Sequence, residues 1–404
     1  MDLKESKKQH TGIDKVFYKK LFQDLFSDTC TVRFWDGEEV KYGEDESRFR
    51  LIMNEPIPKA DIIAEPSLAF GEAYMDRRLE IDGDLQTVIA SIYRNMESFL
   101  RQGHLYNKAL KKISNNLKKS RENIVHHYDI GNDFYRLWLD ETMTYSCGYF
   151  RSEGDTLLQA QKNKVDHILK KLNLEEGQTL LDIGCGWGEL ILAAARRYKV
   201  KVLGITLSEE QFAEAQKRAA AEGLNDLVEV QKIDYREIRD RKFDRIVSVG
   251  MLEHVGKDHL YEYFSHVNQM LKEGGLSLLH TITGIHENEG GTNSWINKYI
   301  FPGGYIPAVQ ELVGHMSREG FHLIDSESLR RHYARTLEHW AANFEKALPE
   351  IQRNKDERFI RMWRLYLNSC AASFHTGNID IHQLIFTKGI NNAIPWCRDY
   401  IYCD

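Results

Sequence analysis

The stretch Thr179-Leu180-Leu181-Asp182-Ile183-Gly184-Cys185-Gly186-Trp187-Gly188 constrains this chain more than any other. An apolar run feeds a turn with glycine at alternate positions, and residues 189–197, rich in Leu and Ala, read as a helix opening directly after it. Alternate glycines let the backbone turn tightly and come close to a ligand. The first turn of the helix offers free N–H groups. A strand, a glycine loop and a helix in that order build a nucleotide crevice at the carboxyl end of a parallel sheet. The spacing is not the dinucleotide G-x-G-x-x-G, because Trp187 and Gly188 break it; it reads D-x-G-x-G-x-G.

The pattern around the loop fits that frame. Residues 179–183, 200–205, 228–233, 243–249 and 276–282 read as five strands, separated by helical patterns such as 208–222 and 257–271. Such alternation predicts a parallel, doubly wound sheet. Residues 321–329 and 381–387 add two strands, expected as an antiparallel pair closing the edge. Ahead of this region stands a separate block. It holds a helical pattern over 16–26, strands at 31–35 and 39–42 around the hairpin signal Asp36-Gly37, and a helix to 99 with Asp84 as its N-cap. A chain of 404 residues accommodates two domains. The expected division is an accessory domain over 1–105, a basic linker helix over 106–125 and a catalytic domain over 126–404.

The linker carries Lys108, Lys111, Lys112, Lys118 and Lys119, with Leu105, Leu110, Ile113 and Leu117 interleaved at helical spacing. That pattern fits a solvated linker helix, and equally a helix resting on an anionic membrane surface. A net charge of −6 argues against a general nucleic-acid binder. Six scattered cysteines without a C-x-x-C pair indicate neither a metal site nor a disulfide scaffold. Residues 1–10 lack the apolar segment of a signal peptide, and no apolar run approaches the roughly 18 residues of a membrane span. A cytoplasmic protein is therefore expected.

Ligands in such sheets bind outside the carboxyl ends of the strands. After the second strand, Thr206 and Gln211 stand in for the acidic residue that commonly holds ribose hydroxyls. After the third comes Asp234-Tyr235, a carboxylate able to accept from an adenine amino group and a ring able to cover the base. The fourth strand leads to Gly250-Met251-Leu252-Glu253-His254-Val255-Gly256, and at the end of the fifth His280 and Ile282 face the same way. Each of these residues alone fits a structural role; their convergence at one sheet edge carries the functional reading.

Together the motifs resemble a family. D-x-G-x-G-x-G is the S-adenosylmethionine loop of Rossmann-like methyltransferases. With it come Tyr145-Ser146-Cys147-Gly148-Tyr149-Phe150, Gly204-Ile205-Thr206-Leu207-Ser208, Glu253-His254-Val255-Gly256, Leu279-His280-Thr281-Ile282 and Phe301-Pro302-Gly303-Gly304-Tyr305-Ile306-Pro307. This set resembles the cyclopropane-fatty-acyl-phospholipid synthases. The segments 126–135 and 331–337 are similar to family segments too, so the likeness spans about 120–390. Gly71 to Asp76 extends it into the amino-terminal block, as in the long bacterial phospholipid enzymes and unlike the shorter mycolic-acid synthases.

The resemblance implies an α/β fold of the class I S-adenosylmethionine-dependent methyltransferase type, a seven-stranded, mostly parallel sheet with a smaller α+β amino-terminal domain. It implies that S-adenosylmethionine donates a methyl to the cis double bond of an unsaturated phospholipid acyl chain, giving a carbocation. Proton loss from the added methyl then closes a cyclopropane. Bicarbonate is the implied base, held by Cys147 (main chain), Glu253, His280, Ile282 (main chain) and Tyr333. The implied cofactor site uses Tyr145, Ser146, Asp182, Gly184, Gly186, Thr206, Leu207, Gln211, Asp234 and Tyr235, and no metal. Tyr145, Tyr149, Phe150, Tyr299, Tyr305 and Tyr333 are candidate aromatic faces for the cation. The implied partner is the membrane surface, met peripherally from the cytoplasm, with the amino-terminal block binding lipid or forming a homodimer. The alternative within enzymes is a fatty-acyl methyltransferase giving a hydroxy- or methyl-branched product. Outside enzymes it is a lipid-binding protein with a vestigial fold.

Overall fold

In the computed structural model the described residues are 13–102, 130–285 and 293–402. The lysine stripe of the expected linker and the start of the segment 126–135 lie outside them. The described chain divides into two compact units: one takes 13–102 with Asn293–Tyr299 and Leu348–Asn378, the other 130–285, Ile300–Ala347 and 379–402.

The first unit holds a four-stranded sheet. Strands β1 (Cys30–Arg33) and β2 (Glu39–Tyr42) form the antiparallel hairpin expected around Asp36-Gly37. β3 (Phe49–Met53) runs parallel to β1, and β4 (Leu79–Asp82) closes the order β2-β1-β3-β4. Alternate residues Cys30, Val32, Phe49, Leu51 and Met53 are buried against the helix Ile13–Leu25, which contributes Tyr18 and Phe22. Asp84 caps the helix Leu85–Gln102 by accepting from the Thr87 N–H at 2.7 Å. The helix Glu357–Thr376 belongs to this unit although it lies far along the chain. Its buried Arg361 sits 4.0 Å over the Tyr74 ring and donates to the carbonyls of Tyr74 and Leu79.

The second unit is the seven-stranded sheet. β5 (Thr179–Ile183), β6 (Lys201–Ile205), β7 (Val228–Gln231), β8 (Phe243–Val249) and β9 (Leu271–Gly284) are mutually parallel. β10 (Phe321–Ser328) and β11 (Ile379–Lys388) complete the order β10-β11-β9-β8-β5-β6-β7, with β11 antiparallel to both its neighbours. β5 at the centre is buried along Leu180–Ile183, as expected for a strand covered on both faces. One face packs on the helices Leu157–Lys171 and Glu189–Tyr198 through Ile168, Leu172, Ile191 and Ala194. The other packs on Leu260–Met270 and Val309–Arg318 through Tyr263, Phe264, Val267 and Leu312. Ser208 caps the helix Glu209–Ala221, its side chain accepting from the Gln211 N–H. Two expectations shift in detail. The 257–271 helix begins as a 3-10 turn, Lys257–His259, before the helix Leu260–Met270, and β9 starts at Leu271 without an intervening loop.

Candidate active site

The carboxyl ends of β5, β6, β7 and β8 open on a cleft that contains all ten expected cofactor residues: Tyr145, Ser146, Asp182, Gly184, Gly186, Thr206, Leu207, Gln211, Asp234 and Tyr235 line it. Gly186 has φ +55°, and a Cβ built there would meet no atom within 4 Å. The space that a side chain would fill is thus cleft, left for a ligand to approach bare backbone. Gly188 is glycine for a different reason: with φ +96°, its missing Cβ would lie 3.1 Å from that of Ala215 on the neighbouring helix.

Asp182 is buried, and its Oδ1 has no hydrogen-bond partner among the described residues. Burial pushes its carboxyl up to about 7, against the pull of the Lys164 charge. Lys164, also buried, lines the same cleft and donates to Ser146 Oγ at 2.9 Å. Burial brings its ammonium down to about 8, opposed by Cys147, Asp140, Asp182 and Glu189. Ser146 is held from behind as well, its carbonyl accepting from Gln161 Nε2 at 2.8 Å. Lys164 and Gln161 were absent from the sequence-based set. The spacing Gln161, Lys164, His167, Lys171 puts four polar side chains on one face of the helix Leu157–Lys171, a pattern that in sequence reads as a solvated face. All four are buried.

At the far wall, Thr206 Oγ1 donates to Gln211 Oε1 at 2.7 Å, so the two residues expected to replace the ribose carboxylate form one polar unit. Asp234 is more engaged than expected. It caps the turn Tyr235–Glu237, and both its oxygens accept from the Arg236 guanidinium at 2.9 Å. A carboxylate has about four lone-pair sites, so capacity for an adenine amino group remains. The Tyr235 ring stands edge-on to Tyr263 at 5.6 Å.

None of the five residues expected at the bicarbonate position is among those lining the cleft; backbone contacts at the ends of β9 and β11 link them. Glu253, on the turn Leu252–His254, accepts the Ile282 N–H on Oε1 at 2.7 Å. Ile282 is registered with Ile381, whose carbonyl takes the N–H of Leu329 at 2.8 Å. Leu329 precedes the helix Arg330–Lys346, which carries Tyr333, and the Leu329 carbonyl lies 3.9 Å from the Cys147 sulfur. The main-chain N–H of Ile282 is therefore occupied by Glu253. Two buried polar atoms here have no partner among the described residues, Glu253 Oε2 and His280 Nε2. Burial raises the Glu253 carboxyl, against the opposing hydrogen bond from the Ile282 N–H. Burial and the charges of Lys164 and Lys171 push His280 well down, so it stays neutral. Burial also drives the Cys147 thiol up, which leaves it un-ionised.

The aromatic candidates separate. Tyr145 packs on Trp340 at 5.1 Å, Trp138 at 5.4 Å and Tyr135 at 5.5 Å, and Tyr333 stands edge-on to Trp340 at 6.0 Å. Tyr149 instead stacks between His167 and His332, and Phe150 stacks on His339. Tyr305 hydrogen-bonds Glu311, and Tyr299 lies in the first unit, bonded to Glu72. Sequence reasoning missed Tyr135, Trp138 and Trp340, three fully buried rings.

Residues 115–384 match the family described as mycolic acid cyclopropane synthetase, and residues 17–104 match a domain family of unknown function. A probable fatty acid methyltransferase of Pseudomonas putida is 38% identical over 92% of this chain and 95% of its own length. The cyclopropane-fatty-acyl-phospholipid synthase of Escherichia coli K12 is 41% identical over 83% of this chain and 87% of its own. Among solved structures, the cyclopropane synthase MmaA2 from Mycobacterium tuberculosis matches at a TM-score of 0.64 and 37% identity, covering 68% of this chain and all of that one. Mycolic acid cyclopropane synthase CmaA1, complexed with SAH and CTAB, matches at 0.63 and 36%, over 68% of this chain and 99% of that one.

Proposed function

This chain belongs to the mycolic acid cyclopropane synthetase family of S-adenosylmethionine-dependent methyltransferases, and from that membership we propose that it cyclopropanates unsaturated acyl chains of phospholipids. The observation that carries the reading is a pair of buried polar atoms without a partner among the described residues, Glu253 Oε2 on the turn after β8 and His280 Nε2 on β9, next to the cleft lined by the expected cofactor residues. Leaving a buried polar group without a partner costs on the order of 1–3 kcal/mol, so a bound polar species at this point is the economical account.

S-adenosylmethionine, when bound, supplies an electrophilic methyl. The Asp182 carboxylate suits the ammonium of its amino-acid end, and Lys164 with Ser146 suits the carboxylate. Thr206, Leu207 and Gln211 serve the ribose, Asp234 and Tyr235 the base. Bicarbonate, when bound, supplies a base for the proton released on ring closure. Cys147 and Ile282 are its main-chain neighbours, and Tyr333 is a further donor. A carboxyl at Glu253 that keeps its proton donates to such an anion and does not repel it, and a neutral His280 donates from one ring nitrogen. The faces of Tyr145, Tyr333, Trp138 and Trp340 offer a developing carbocation a dry, electron-rich surface, at about 0.5–2 kcal/mol per ring.

The phospholipid as substrate rests on the likeness to the Escherichia coli enzyme. No described helix is long and apolar enough to cross a membrane, so contact with lipid is proposed as peripheral, from the cytoplasmic side, through the lysine stripe at 108–119 and the amino-terminal block. The division into an accessory domain over 1–105, a linker and a catalytic domain over 126–404 belongs to the same proposal. The Pseudomonas relative is named a probable fatty acid methyltransferase, and the second reading is a fatty-acyl methyltransferase giving a hydroxy- or methyl-branched product. The test is transfer of labelled methyl from S-adenosylmethionine to vesicles of anionic unsaturated phospholipid. Label should enter unsaturated and not saturated vesicles, fall as salt rises, and fall in carbon dioxide-depleted buffer until bicarbonate is restored. Absence of transfer to unsaturated vesicles would overturn the reading.

A further inference from the structure

β9 and β11 are antiparallel, and their register sets Gln383 directly across from His280. Both side chains are fully buried. Gln383 Nε2 lies 3.0 Å from His280 Nδ1, and Gln383 Oε1 accepts from Lys171 Nζ at 2.8 Å. Lys171 also donates to Glu327, whose same oxygen meets His167 Nε2 at 2.7 Å. A buried chain thus runs His280–Gln383–Lys171–Glu327–His167.

The chemistry of the donors leaves one protonation pattern. An ammonium only donates, so the amide atom facing Lys171 is the oxygen. The amide nitrogen then faces His280, and it too only donates. His280 Nδ1 is therefore the acceptor, and the proton of the neutral ring sits on Nε2, the nitrogen with no partner among the described residues. We propose that Gln383, held in orientation by Lys171, is a positioning residue that fixes His280 as its Nε2–H tautomer, making the histidine a hydrogen-bond donor in the site and not a base. The catalytic consequence rests on the proposed function; the tautomer itself does not.

The groups that act on His280 are Lys164, His167 and Lys171 of the helix Leu157–Lys171 and Glu327 of β10. Glu253 is tied to Ile282 two residues along β9. On β11 His382 turns to the other face and bonds Thr283 at 2.9 Å. The cations nearest the ring disfavour a second proton, which keeps Nδ1 free to accept.

The test is nitrogen NMR of the full chain labelled with 15N-histidine, with His280→Asn identifying the resonance. The native ring should show an unprotonated Nδ1 and a protonated Nε2. Gln383→Glu keeps an acceptor for Lys171, so the fold should survive, but its carboxylate demands a proton on Nδ1. The neutral ring then presents a lone pair at Nε2, and only a second proton restores the donor. Turnover of Gln383→Glu relative to native should therefore decline as pH rises, while Gln383→Leu should lose about 10- to 100-fold in kcat with the KM for S-adenosylmethionine unchanged. A native Nδ1–H, or a native pH profile in Gln383→Glu, would overturn the assignment. An Nε2–H ring in a chain that transfers no methyl to lipid would instead sink the proposed function and leave the tautomer standing.

Discussion

Glu253 Oε1 accepts the Ile282 N–H at 2.7 Å, joining the turn after β8 to the end of β9 and leaving Oε2 buried beside the cleft. Glu253→Gln preserves the Oε1 acceptor and changes the group at the second position. It should keep the affinity for S-adenosylmethionine, read by calorimetry, and lose at least about 10²-fold in turnover, the range of a positioned acid–base group. Native turnover in Glu253→Gln would remove the residue from the chemistry.

Gly186→Val puts a branched side chain into open cleft at φ +55°. Calorimetry should find cofactor binding weakened beyond detection. Nothing lies within 4 Å to clash, but a branched residue at positive φ is strained by about 1–3 kcal/mol. The Tm should therefore fall while circular dichroism at room temperature remains native. Unchanged affinity would make the loop a plain turn.

Cys147 is fully buried with its thiol pushed up by burial, and only its main chain enters the proposed site. Cys147→Ala should keep turnover within about 3-fold, since thiolate character, absent here, is what makes cysteine reactive. A loss on the scale of Glu253→Gln would give the sulfur itself a role.

Burial alone would raise the Glu327 carboxyl, but the His167 hydrogen bond and the Lys171 charge hold it down at about 2. Because this folded value lies below the ordinary 4.5, the unfolded state binds more protons between those limits. The stabilisation is complete above pH 4.5 and is lost as pH falls through about 2. Glu327→Gln should cost about 3–5 kcal/mol at pH 7, where Lys171 loses its counter-charge. In urea titrations the gap from native should narrow as pH is lowered to 3. A pH-independent gap would assign the loss to packing.

The parts of this fold legible in the sequence are those with a local cause. The strands β5 and β8 fall where apolar runs predict them, and Ser208 and Asp84 cap the helices they precede. The glycine loop could be read because its backbone demands are local. The chain His280–Gln383–Lys171–Glu327 draws on four elements, and no spacing along the sequence links them. Lys164 was hidden for a related reason: a lysine in a helix ordinarily reads as surface, and only the packing of Leu157–Lys171 on the sheet buries it. The membership of Glu357–Thr376 in the first unit likewise follows from long-range contacts of Arg361 with Tyr74 and Leu79, which no local pattern encodes.

The central claim is that a methyl is added to an alkene and one of its own protons is then lost to close a ring. Mass spectrometry of monounsaturated phospholipid incubated with the chain and S-adenosylmethionine bearing a trideuterated methyl tests it most directly. The account predicts a product without the double bond that carries one added carbon and two deuterons, the third having left with the base. A product that keeps all three deuterons, as a methyl branch or beside a new hydroxyl, would contradict it.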